Sequence, residues 1–170
     1  SGALVFAATP TLVTPVLGVA TATSINGGTV FGYQLLVGTG VAAGMSPLDA
    51  TTYYFGGPLG NGSTIDSTEA NIHPVVIPKT GTVVRATFSA HVIGTLGTTE
   101  QSTVSVRNST TATNVTLSSV VQHNLATQTY ISGTLSLAVT AGDLLRGVVL
   151  TPTFTTNPTA VTWYMQVYIE

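Results

Sequence analysis

The chain has 170 residues, of which 44% are hydrophobic and only 6% charged, with a formal net charge of −2, no cysteine and 32 threonines. An ordinary soluble domain carries about 25% charged residues, so this surface has to be made of hydroxyls and amides. Without a basic footprint neither nucleic acid nor an anionic membrane is favoured as a partner, and without cysteine there is neither a disulfide framework nor a thiolate metal site.

Residues 1–44 open with "SGALVFAATPTLVTPVLGVATA", a stretch rich in Ala, Pro and Thr with little strict alternation. Pro10 and Pro15 interrupt it well short of a membrane span, so no membrane insertion is expected. A soft boundary falls between Gly40 and Ser46. It makes 1–44 an N-terminal extension (an arm, a stalk end or an extra edge strand) and 45–170 the main domain.

Beyond the boundary, "TTYYFGG" sets Tyr53, Tyr54 and Phe55 side by side, and "IDSTEANIH" puts Asp66, Glu69 and His73 in one loop. In "VVRATFSAHVI" strict alternation places Val84, Ala86, Phe88, Ala90 and Val92 on one face and Arg85, Thr87, Ser89 and His91 on the other. "STVSVR" turns Val104 and Val106 inward, "NVTLSSVV" follows, and "TLSLAV" turns Leu135, Leu137 and Val139 inward. "LSLAVTAGDLLRGVVL" reads as two apolar strands hinged in a hairpin on Ala-Gly-Asp. In the last strand Val161, Trp163, Met165, Val167 and Ile169 share one face, and Thr162, Tyr164, Gln166 and Tyr168 the other.

Gly- and Pro-containing turns recur every eight to twelve residues or so. No dozen-residue window has helical apolar spacing free of β-branched, Gly or Pro interruption. The expected class is all-β, with many short strands arranged as a sandwich, jelly roll or barrel.

The order "SGTLSLAVTAGDLLRGVVL", a Thr/Pro loop and a closing "VTWYMQVYIE" resembles the last three strands of the C1q/TNF-like jelly roll. "IPKTGTVVRATFSAHV" is similar to that family's strand opened by a Pro and Gly turn, with Val83 or Val84 where the family has Tyr, and "TVSVRNSTT" is similar to its Asn-Gly hairpin, with Ser109 in place of Gly. The resemblance spans residues 45–170 and implies an antiparallel jelly-roll sandwich assembled as a homotrimer. It is nearest to the Thr-rich, charge-poor versions at the tips of phage fibres and bacterial collagen-like proteins, which are trimerisation heads and attachment knobs. Burial of much of the surface in an oligomer agrees with the scarcity of charge.

No enzyme chemistry is indicated. "GMSPL" around Ser46 lacks the second Gly of a nucleophile elbow, and the six acidic residues are scattered. Asp66, Glu69 and His73 are the loop set able to hold a cation, their ordinary role being a solvated turn. In a trimer His91 could form a three-His site on the axis, its ordinary role being a hydrogen-bonded residue of a Thr/Ser face. No cofactor is expected.

Arg85 and Arg146, set in strands, need acidic partners, and inter-subunit ion pairs with Asp143 or Glu170, or with Glu100, are expected. Tyr53, Tyr54, Phe55, Tyr164, Gln166 and Tyr168 are the candidates for a trimer interface or glycan contact. Asn61, Asn108 and Asn114 begin glycosylation sequons. The expected function is a trimeric fibre or spike head on a phage or virus particle that mediates host attachment. It would be exposed at the virion surface or extracellularly, bound to itself, to other virion or surface-structure proteins and to host surface glycan. The alternatives are a filament or coat subunit assembled by strand donation from the N-terminal segment, and a carbohydrate-binding module.

Overall fold

A computed structural model describes residues 24–25, 28–29, 32–41, 46–57, 65–94, 100–122 and 126–170. The chain divides into two compact units, Ser1–Val30 and Phe31–Glu170. In the first, β1 (Ser24–Ile25) pairs antiparallel with β2 (Gly28–Thr29).

The second unit begins with β3 (Tyr33–Val41), β4 (Thr52–Phe55), β5 (Ile65–Asp66), a 3-10 turn (Glu69–Asn71), β6 (Val75–Val76) and β7 (Gly81–Ile93). It continues through β8 (Gln101–Asn108), β9 (Thr113–Gln122), β10 (Thr127–Ile131), β11 (Leu137–Val139), β12 (Leu144–Leu150) and β13 (Ala160–Ile169). The expected all-β class is what the chain adopts. Among the described residues no helix is long and apolar enough to cross a membrane.

These strands form two antiparallel sheets. Sheet one runs β3-β13-β7-β10, with β11 also on β7; sheet two runs β5-β4-β12-β8-β9, with β6 also on β12. Tyr33–Val41, inside the expected extension, is therefore an edge strand of sheet one.

The core lies between the sheets because alternation turns one apolar face of each strand toward the other sheet. Phe88, Trp163 and Met165 of sheet one meet Phe55 of β4, Val104 and Val106 of β8 and Leu145 and Val149 of β12. Trp163 stands edge-on to Tyr53, with centroids 5.9 Å apart at 62°, and Phe55 lies 5.9 Å from Trp163 and 6.1 Å from Phe88. Leu135, Leu137 and Val139 are buried as the alternation requires.

Two local expectations change. In β7 the innermost position belongs to Val83, not Val84. Tyr168 faces Arg85 but Ile169 faces Val83, so Val84 is the extra residue of a bulge and leaves the core row. The expected hairpin over 135–150 is instead a crossing between sheets, since β11 pairs with β7 and β12 with β4, β6 and β8. Gly142, at φ 94°, and the Asp143 carboxylate, which accepts from Thr140 N at 2.8 Å, turn the chain out of one sheet and into the other.

Candidate functional site

The outward face of sheet one is built by the residues left over from core alternation. Thr162, Tyr164, Gln166 and Tyr168 stand half-buried on β13, beside Arg85, Thr87, Ser89 and His91 of β7 and Thr127, Thr129 and Ile131 of β10. Register makes ladders of them. Ser89 Oγ and Thr129 Oγ1 are 3.0 Å apart, and His91 Nδ1 and Thr127 Oγ1 are also 3.0 Å apart. The Gln166 amide donates to the Tyr164 hydroxyl two residues away.

Where β10 ends at Ile131, this face opens into a hollow of about 160 Å³ lined by Arg85, Thr87, Ile131, Gln166 and Tyr168, with Ala86 and Val167. Within the five strands of sheet one Arg85 is the single charged residue. Its guanidinium has no hydrogen-bond or ion-pair partner among the described residues.

Sheet two concentrates charge differently. Arg146 of β12 and Arg107 of β8 face each other across the ladder and share the Glu69 carboxylate, at 3.3 Å from Arg146 Nη1 and 2.8 Å from Arg107 Nε. Arg146, 7% exposed, also donates from Nε and Nη2 to the Ile72 carbonyl at 3.1 and 2.9 Å. Arg107 donates to Asn114 Oδ1 at 2.9 Å and lies 5.9 Å from the Tyr54 ring centroid.

The hydrogen bond from Arg107 holds the Glu69 carboxyl below its ordinary pKa against the opposing pull of burial. Burial lowers the Arg146 pKa, with Glu69 working the other way. Together these contacts fasten the 65–73 turn to the sheet.

Asp66 closes the turn, accepting from Thr68 N at 2.7 Å and Asn71 Nδ2 at 2.9 Å, while Glu69 faces the two arginines and His73 is exposed. Among the described residues no three of His, Asp or Glu converge on one point, so the loop set is held by hydrogen bonds and ion pairs instead. His91 is exposed, with Thr127 as its neighbour.

Arg146 and Asp143, expected to pair across subunits, are engaged within their own chain. Arg146 is held by Glu69 and Ile72, and Asp143 accepts from Asn108 Nδ2 at 2.7 Å. The turn over 65–73 supplies the partners of Arg146, and β8 supplies that of Asp143. Tyr53 and Phe55, expected at an interface, are 3% and 0% exposed and belong to the core, because β4 alternation separates them from Tyr54. Tyr164, Gln166 and Tyr168 do share one outward face. Of the sequons, Asn61 lies outside the described residues, Asn108 is fully buried and Asn114 is exposed.

Arg107, and the structural role of Asn108 beyond its sequon, escaped sequence reasoning. Arg107 has its partner 38 residues away and Asn108 35 residues away, and no local pattern announces either. Compared with known proteins, the chain matches no family model and no curated protein.

Proposed function

We propose that this chain is a non-enzymatic surface-structure protein: a C1q/TNF-like jelly-roll head that assembles as a homotrimer on a phage or virus fibre or spike and contacts the host. The observation that carries the assembly is the outward face of sheet one. It is an array of Tyr, Gln, Thr and Ser, half-buried on β13 and at Thr87 and Ser89 of β7 and exposed on β10, with a single charge in its five strands. Charge depletion with Tyr enrichment is the composition of a covered interface rather than of an open surface.

The jelly-roll reading is supported by the strand pairing. With β3, β4, β7, β8, β9, β10, β12 and β13 taken as eight principal strands, the first pairs with the eighth (β3–β13), the second with the seventh (β4–β12), the third with the sixth (β7–β10) and the fourth with the fifth (β8–β9). A long two-stranded ribbon folded into two sheets in this way is what a jelly-roll reading expects.

Trimerisation would bury the polar-aromatic face and present three copies of any surface site, so that avidity multiplies a weak host contact. Gel filtration coupled to light scattering tests the reading. A mass of three times 17.3 kDa, stable on dilution, is the expected result. A monodisperse single-chain mass overturns it.

A further inference from the structure

We infer that Arg85 is one half of an inter-subunit ion pair whose other half is Glu170 of the neighbouring copy. This rests on the trimeric reading and deepens it by naming the contact.

Of the six acidic residues, five are engaged within the chain. Asp49 accepts from Phe154 N and Asn157 Nδ2, Asp66 from Thr68 N and Asn71, Glu69 from two arginines, Glu100 from Thr155 N, and Asp143 from Asn108 and Thr140 N. Of the four basic residues, Arg107 and Arg146 hold Glu69, and Lys79 interacts within the chain as well. Arg85 and the Glu170 side chain remain, neither with a hydrogen bond or ion pair among the described residues.

Both stand on the same face. Tyr168 is directly opposite Arg85 in the β13–β7 ladder, and Ile169 is buried in the core, so alternation turns Glu170 outward with Tyr168. Backbone bonds between Glu170 and Thr82, at 2.9 Å and 2.6 Å, continue the pairing beyond β13 and hold the residue at the edge of the face.

A face bearing one unpartnered cation and one unpartnered anion can give each of them to a different neighbouring copy. Covering Arg85 with apolar and hydroxyl groups alone would strand a charge away from water, so whatever covers it must bring a carboxylate. In a closed ring each copy offers Arg85 to one neighbour and Glu170 to the other, a head-to-tail contact that three copies close. The hollow of about 160 Å³ beside Arg85 provides room for the incoming side chain.

Charge reversal tests this on the full chain. Arg85→Glu and Glu170→Arg, each alone, are expected to shift the light-scattering mass from three chains toward one at the same concentration, and the double reversal to restore three. Circular dichroism melts of the variants monitor folding of the single chain independently. If the unmutated chain is trimeric and both single reversals remain trimeric, the ion pair is refuted while the trimeric reading stands. If the unmutated chain is monomeric, both fall. A monomer that binds N-acetylneuraminate, with binding abolished by Arg85→Glu, would assign Arg85 to a ligand carboxylate and overturn the inference.

Discussion

The ring of Phe55 lies across the backbone of Gly147, its partner on the adjacent strand of sheet two, so closely that a Cβ at position 147 would run into Cζ, Cε1 and Cε2 of the ring. The glycine is what lets Phe55 reach Trp163 and Phe88 in the middle of the core. Gly147→Ala is therefore expected to destabilise the fold by about 1–3 kcal/mol, the usual cost of overpacking. Urea denaturation measures it. An unchanged midpoint would mean that the ring can move aside.

Glu69 lies between two arginines that otherwise repel, one of them almost fully buried. Removing the charge with Glu69→Gln leaves Arg146 without a counter-charge, its bonds to the Ile72 carbonyl retained. A loss of about 2 kcal/mol is expected, between the ≤1 of an exposed pair and the 3–5 of a buried one. Arg107→Gln removes the repulsion together with the attraction and should cost less than Glu69→Gln. The two midpoints measured side by side check the order.

Acid should act on the same places. Asp66, Glu69 and Asp143 all have folded-state pKa values below the ordinary carboxyl values: Asp66 chiefly through the Thr68 backbone N–H, Glu69 through Arg107, and Asp143 through the Thr140 backbone N–H. A depressed pKa means that the unfolded chain binds more protons. The stability these groups contribute is thus present above about pH 4.3 and is lost as pH falls through their folded values. The melting temperature should drop steeply below about pH 4, and Glu69→Gln should flatten part of that drop. A melting temperature level from pH 5 to 2.5 would refute the assignment.

The sequons divide by burial. Asn108 is fully buried, with its amide nitrogen donated to Asp143 and its carbonyl oxygen accepting from Thr110 N at 3.0 Å, whereas Asn114 is exposed. In a host that N-glycosylates, peptide mapping of folded protein should find Asn108 bare and Asn114 the acceptor of the two. Replacing Asn108 by Asp would set two carboxylates against each other at the turn, and a clear loss of stability is expected.

Alternation alone identified the inward face of β13, the paired valines of β8 and the outward row of Arg85, Thr87, Ser89 and His91, because a period of two is a local property that a buried face makes visible. The same rule applied to the four residues of β4 would have sent Tyr53 and Phe55 into the core and Tyr54 outward. The bulge at Val84 could not be read, since an extra residue in one strand is defined only by the partner it fails to match. Nor could the fate of "TAGD" be read, because a tight turn looks the same whether the strands it joins pair with each other or with different sheets.

Composition and period by themselves determined that this chain is all-β, deficient in surface charge and built around a Val, Leu and aromatic core, because each of these depends on residue type and immediate neighbours. Only the tertiary structure decided where the few charges go. It gave Glu69 to Arg107 and Arg146 and Asp143 to Asn108, and it left Arg85 and Glu170 on one face. Such pairings join residues tens of positions apart, and the energy of a charge is set by whatever strand the fold brings beside it, at a distance along the chain that local pattern does not record.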